Sequence, residues 1–140
     1  MTSTDVRAPT SVLDASALMA LIHGEDGKAA VAAALAERSA ISAVNWSEVL
    51  SKLAAEGGDP IALDADYRKR GFIGKALTIE GMTESDCVEV ARLRPITMRQ
   101  GLSLADRACL ALATRLGVPA LTTDRAWADA DVDAEVQLIR

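Results

Sequence analysis

A chain of 140 residues, half of them apolar and only 3% aromatic, fits one domain whose core is built from Leu, Val, Ile and Ala. Its 15 Lys and Arg against 20 Asp and Glu leave a net charge of −5, which argues against a protein that coats nucleic acid by charge alone. No apolar run approaches the roughly 20 residues of a membrane span and no charged-then-apolar signal opens the chain, so a soluble, cytoplasmic protein with no membrane partner is expected.

Residues 1–10 are polar, with Pro9 close to their end; they are expected to form a flexible leader to a single domain over 11–140. Ser11 to Leu13 read as the end of a buried strand and Ala15 to Ile22 as the helix after it. Asp14 falls at the junction, where two roles fit: N-cap of the helix, or a ligand-binding carboxylate at the carboxyl edge of a parallel sheet. His23 has no second His or Cys beside it and reads as a helix-end residue.

After the turn Gly24-Glu25-Asp26-Gly27, Lys28 to Arg38 reads as an Ala-rich helix and Ala40 to Ala43 as a short strand. In the next helix, roughly Val44 to Glu56, the residues Trp46, Val49, Leu50, Leu53 and Ala54 share an apolar face. Asn45, Glu48 and Lys52 fall on the other side. Glu48 there is a neighbour of Asn45 and, four positions on, a potential ion-pair partner of Lys52.

Gly57-Gly58 ends that helix, and Asp59-Pro60 opens another with an N-cap followed by Pro at the first helical position. Its basic cluster, Arg68, Lys69 and Arg70, is either a solvated face or a nucleic-acid contact. Leu77-Thr78-Ile79 suggests a strand, and Thr83 with Asp86 a capping box for a helix to about Leu93. The stretch Gly101 to Ala113 is apolar around most of its circumference and reads as a buried helix, in which Asp106 could be the capping-box partner of Ser103. Cys87 and Cys109 lack zinc or redox spacing and are expected to be buried free thiols. Val118 to Thr122 reads as a strand that delivers Asp124, with the same two roles open as for Asp14. Asp129, Asp131 and Asp133 form an acidic loop before a last strand, Val136 to Ile139.

Two acids, Asp14 and Asp124, follow strands, and two, Glu48 and Asp106, lie near helix starts, places that a doubly wound sheet can bring to one edge. Carboxylates so gathered repel one another unless a cation compensates. Hard oxygen ligands suit Mg²⁺ or Mn²⁺, and such an ion can assist in-line attack on a phosphodiester.

Four segments also carry a resemblance: Val12-Leu13-Asp14-Ala15-Ser16-Ala17-Leu18, Ser42-Ala43-Val44-Asn45-Trp46-Ser47-Glu48-Val49, Leu102-Ser103-Leu104-Ala105-Asp106-Arg107, and Leu121-Thr122-Thr123-Asp124-Arg125-Ala126-Trp127. In order and spacing they resemble the signature regions of PIN-domain ribonucleases, and more narrowly the VapC toxins of bacterial toxin–antitoxin pairs, over about residues 11 to 140. The resemblance implies an α/β, PIN-like domain, a central parallel sheet of order 3-2-1-4-5 flanked by helices, and endonucleolytic RNA cleavage with Mg²⁺ or Mn²⁺. It makes Asp14, Glu48, Asp106 and Asp124 an acidic quartet, Asp14 and Asp106 being direct metal ligands and Glu48 and Asp124 completing the site directly or through water. Ser16, Asn45 and Thr122 would support them, and Asp129 could add a fifth carboxylate. A VapB-like antitoxin and a homodimer are the implied partners, alongside RNA. The segment Ile61 to Gly74 matches no motif, but in the family this region tends to meet the antitoxin and borders the RNA path, which makes Arg68, Lys69 and Arg70 candidates.

Other functions fit less well. Haloacid-dehalogenase-like enzymes need a second Asp where this chain has Ser16, and receiver domains need an acidic pair and a Lys that are absent. A PIN nuclease of RNA processing and a non-catalytic PIN-like binding module remain as alternatives, and the complete quartet speaks against the second.

Overall fold

Among the described residues, five short strands set the frame: β1 (Ser11–Leu13), β2 (Ser39–Ser42), β3 (Leu77–Glu80), β4 (Ala120–Thr122) and β5 (Val136–Leu138). They form one sheet in the order β3-β2-β1-β4-β5, every neighbouring pair parallel, as the resemblance implied. This computed structural model describes residues 7–140, so most of the expected leader lies outside the described residues. Within it, Thr10 N and Oγ1 both donate to Arg38 O, at 2.9 and 3.1 Å.

From β1 the chain winds outward to β2 and β3, then crosses back to β4 and β5. The first leg carries α1 (Ala15–Ile22), α2 (Lys28–Ala36), α3 (Ala43–Ala55) and α4 (Pro60–Lys69), and the return leg α5 (Glu84–Thr97) and α6 (Leu104–Leu116). Right-handed crossovers in opposite directions place helices on both faces. Strand residues alternate accordingly. Leu13, Ile41 and Leu121 join Leu18, Val31, Val49 and Leu77 in one core, while Val12, Ala40 and Ala120 join Leu93, Leu110, Leu112 and Trp127 in the other. Each fully buried Leu or Ile contributes about 2 kcal/mol. The reversal falls between β1 and β4, and the carboxyl edge at such a switch point is where open α/β sheets bind ligands.

Several elements differ from expectation. The second helix stops at Ala36 because Arg38 takes a left-handed φ of 76° and turns the chain into β2 one residue early. Helix α5 runs through Pro95 to Thr97 instead of ending near Leu93. Carbonyls around the proline gain side-chain donors: Thr97 Oγ1 donates to Leu93 O and Arg107 Nη1 to Val90 O, both at 2.8 Å. Helix α6 begins only at Leu104, capped by Ser103, and the chain before it turns at Gly101 with φ 67°. Arg125–Asp129 forms a 3-10 turn that buries Trp127, so Asp129 ends a helical turn rather than lying in an open acidic loop. Cys109 is buried as expected, but Cys87 is exposed, because α5 turns Asp86, Val90, Leu93 and Thr97 inward. On α3 the assignment of faces is also revised: Ala54 is exposed and Asn45 is fully buried. Among the described residues no helix is long and apolar enough to cross a membrane.

Candidate acidic site at the switch point

Asp14 leaves β1 with extended backbone dihedrals and caps α1, so of the two roles expected for it the N-cap is present, at the carboxyl edge of the sheet. Its carboxylate is 4% exposed. Oδ1 accepts from Ala17 N at 2.8 Å and from Ser16 Oγ at 2.7 Å, and Oδ2 accepts from Thr122 Oγ1 at 2.5 Å. Burial pushes the carboxyl pKa up, the Thr122, Ala17 and Ser16 hydrogen bonds pull it back, and the negative charge of Asp106 adds to the rise; the net result is a raised pKa.

The two hydroxyls that hold Asp14 also fasten it to β4. Thr122 Oγ1 accepts from Asp124 N, and Ser16 Oγ accepts from Thr123 N, each at 3.0 Å. Ser16, Thr122 and Asp14 therefore form one hydrogen-bonded unit across the β1–β4 seam.

Glu48 lies on α3, held by Asn45 rather than by Lys52. Asn45 Nδ2 donates to Glu48 Oε1 and to Ala105 O, both at 3.1 Å, which links α3 to the first turn of α6. Asn45 Oδ1 is buried and has no hydrogen-bond partner among the described residues. No ion pair joins Glu48 to Lys52 among the described residues, so the alternative of a simple surface pair on α3 is not realised.

Asp106 forms the capping box with Ser103: its Oδ2 accepts from Ser103 N at 2.9 Å, and Asp106 N donates to Ser103 Oγ at 3.1 Å. The box occupies one carboxylate oxygen, and the charge still reaches Asp14. The Cys109 thiol lies one turn further along α6. Burial raises its pKa well above the ordinary thiol value, and the charges of Asp14, Asp106 and Glu48 raise it further. Three acids separated by up to 92 positions in the sequence thus act on one buried point.

Asp124 stands differently. Its backbone N is tied to Thr122, but its carboxylate is exposed and caps the 3-10 turn, Oδ1 accepting from Ala126 N at 3.0 Å. Asp129 is exposed at the end of that turn. The basic cluster sits on α4, where Arg68 pairs with Asp64 at 2.8 Å and Arg70 with Asp66 at 3.0 Å. Among the described residues no three His, Cys, Asp or Glu side chains close into a ready-made metal cage. Sequence reasoning did not single out Cys109 as a neighbour of the acids; its position three residues after Asp106 on a buried helix was the available signal.

A parallel sheet with acidic side chains along the carboxyl edge at its switch point defines an α/β protein of the doubly wound class. The PIN domain family model matches residues 11–133, and the chain belongs to that family. No curated protein matches it by sequence. Among solved structures it is similar to a toxin–antitoxin complex from Klebsiella pneumoniae, with TM-score 0.69 and 18% identity over 93% of this chain and 98% of that one. A DNA-bound VapBC from Salmonella typhimurium matches with TM-score 0.67 and 12% identity, covering 94% and 98%. Mycobacterium tuberculosis VapC20, described as a sarcin-ricin loop cleaving toxin, matches with TM-score 0.65 and 15% identity, covering 89% and 98%. At these identities the likeness speaks for the fold.

Proposed function

We propose that this PIN domain is a Mg²⁺- or Mn²⁺-dependent endoribonuclease and the toxin of a toxin–antitoxin pair. The observation that carries the reading is geometric: Thr122 ties the Asp14 carboxylate to the end of β4, and Asn45 Nδ2 bridges Glu48 to Ala105 O, next to Asp106. Crowded carboxylates around a buried raised-pKa aspartate are unfavourable alone and become favourable around a divalent cation.

The residues fit such an ion. Their donors are hard carboxylate oxygens, and Mg²⁺ is held by one or two carboxylates with several retained waters, so a closed cage of three is not required. Asp14 and Asp106 would hold it, with Glu48 and Asp124 completing the site directly or through water. Bound there, the ion supplies charge neutralisation at a phosphodiester and a lowered pKa for water. The chain's own groups do the positioning: Thr122 and Ser16 fix the Asp14 carboxylate, and Asn45 fixes Glu48.

The substrate and partner follow from the relatives named above. One is called a toxin that cleaves the sarcin-ricin loop, and another is a toxin bound to its antitoxin. By extension this chain cuts RNA and is restrained by a VapB-like antitoxin; the homodimer rests on the sequence resemblance alone. Purified protein should cleave RNA with Mg²⁺ or Mn²⁺ and stop with EDTA, and expression should arrest growth unless the antitoxin is co-expressed. Cleavage that persists in EDTA, or in Asp14→Asn, would overturn the assignment.

A further inference from the structure

An acidic site on a chain of net charge −5 repels the polyanion it is proposed to cut. Some cation near the carboxylates must receive the backbone, and the basic cluster on α4 has two of its three members paired within its own helix. The structure offers another group. Lys52, on α3 one turn beyond Glu48, stands on the ridge between two clefts. One, of about 660 Å³, is lined by Ala43, Val44, Ser47 and Glu48. The other, of about 370 Å³ between α1 and α3, begins at Ser16 and continues past Met19 and His23. Lys52 lines both.

The two clefts flank the acids. The first contains Glu48, and the second starts at Ser16, whose hydroxyl lies 2.7 Å from Asp14 Oδ1. The other charged groups of the second cleft are occupied: His23 Nε2 meets Glu56 Oε1 at 2.7 Å and Arg140 Nη1 meets Glu25 Oε1 at 3.5 Å. Lys52 has neither an ion pair nor a side-chain hydrogen bond among the described residues. An exposed ammonium with three free donors beside a carboxylate cleft suits a phosphate as a point charge.

We propose that Lys52 binds a backbone phosphate of single-stranded RNA next to the linkage presented to the acids, so that the strand crosses the α3 ridge from the Glu48 cleft into the Ser16–His23 cleft. This deepens the nuclease reading and rests on it. Lys52 is a positioning residue, since it touches a flanking phosphate and not the reacting one.

The test uses the full chain and a short fluorescein-labelled single-stranded RNA, with Asp14→Asn as the background so that binding is read without turnover. Lys52→Gln is expected to weaken binding by about tenfold and to lower the slope of log Kd against log salt by about 0.7, the value for one phosphate contact on a single strand. Lys52→Arg should restore the slope. Lys75→Gln, beside the amino end of β3 and carrying the same charge change, should leave it at the background value. On the Asp14-intact protein, Lys52→Gln should raise KM while kcat is held. Equal slopes for Lys52→Gln and Lys75→Gln would overturn the proposal. Lys52-dependent binding without any cleavage by the unmutated chain would remove the nuclease reading and keep the subsite; cleavage with Lys52-independent binding would do the reverse; RNA neither bound nor cut would remove both.

Discussion

The Thr122 hydroxyl donates to Asp14 Oδ2 at 2.5 Å and accepts from Asp124 N at 3.0 Å, so a single oxygen joins the ends of β1 and β4 across 108 positions of sequence. Replacing Thr122 with Val keeps the shape and removes both bonds. We expect a stability loss of about 1–3 kcal/mol and a fall in RNA cleavage of about 10- to 100-fold. Thr122→Ser should retain most of both in parallel melts and cleavage assays.

Asp14 carries the opposite balance of stability and activity. Its folded pKa is raised, chiefly by burial. Such a group favours the fold fully below its unfolded pKa of about 3.9, and that contribution is lost as pH rises through the raised folded value. At neutral pH in a chelator, Asp14→Asn should therefore melt above the unmutated protein, while losing RNA cleavage by about 100-fold or more. A mutant that melts well below the unmutated chain in EDTA would show that the charged carboxylate is a net stabiliser.

Asn45 separates two effects at Glu48. In Asn45→Ala the bonds to Glu48 and Ala105 are lost, which should cost about 1–2 kcal/mol and release the Glu48 side chain. Asn45→Asp adds a buried charge facing Glu48 and should be the less stable of the two in EDTA at neutral pH. Denaturant unfolding of both variants would establish the order.

Away from the site, Asp86 governs the acid limb of stability. Burial raises its carboxyl pKa, but Arg115, with Nε at 3.0 and 3.2 Å from the two oxygens, and the Thr83 N–H outweigh that and leave it lowered. A lowered folded pKa gives stability that is present above the unfolded value and lost as pH falls through the folded one, so acid destabilisation from Asp86 should set in below about pH 4. Arg115→Met should remove most of this pH dependence and cost about 1 kcal/mol at neutral pH, because the Arg115 side chain is a third exposed and the pair is partly screened by solvent. Melting curves across that range would read it.

Much of the fold was legible because local and tertiary signals agreed. Ser11–Leu13 followed by Asp14 is both a strand end and a helix cap, and the Thr83–Asp86 and Ser103–Asp106 boxes form as spaced. The sheet order came from the resemblance, since periodicity alone assigns no neighbours to a strand. The misses have tertiary causes. Helix α5, expected to end near Leu93, continues past Pro95 to Thr97 because it packs along α6. Helical spacing puts Asn45 on the polar side of α3 beside Glu48; it does meet Glu48, but it is buried and faces α6, where Ala105 O receives its amide. Glu48 and Lys52 have ion-pair spacing, but spacing fixes no rotamer, and Asn45 is the partner the fold supplies. For Asp14 and Asp106 the capping role was legible and is present, and it leaves a carboxylate oxygen able to accept further bonds.

We propose that Asp14 and Asp106 hold one divalent cation, with Glu48 and Asp124 completing its site. Titrating Mn²⁺ into the metal-free protein while following its melting temperature tests this without any assumption about the substrate. The expected result is a saturable rise that grows with the ratio of free Mn²⁺ to Kd and is abolished in both Asp14→Asn and Asp106→Asn. A melting temperature indifferent to Mn²⁺, or an equal rise in the two variants, would contradict it.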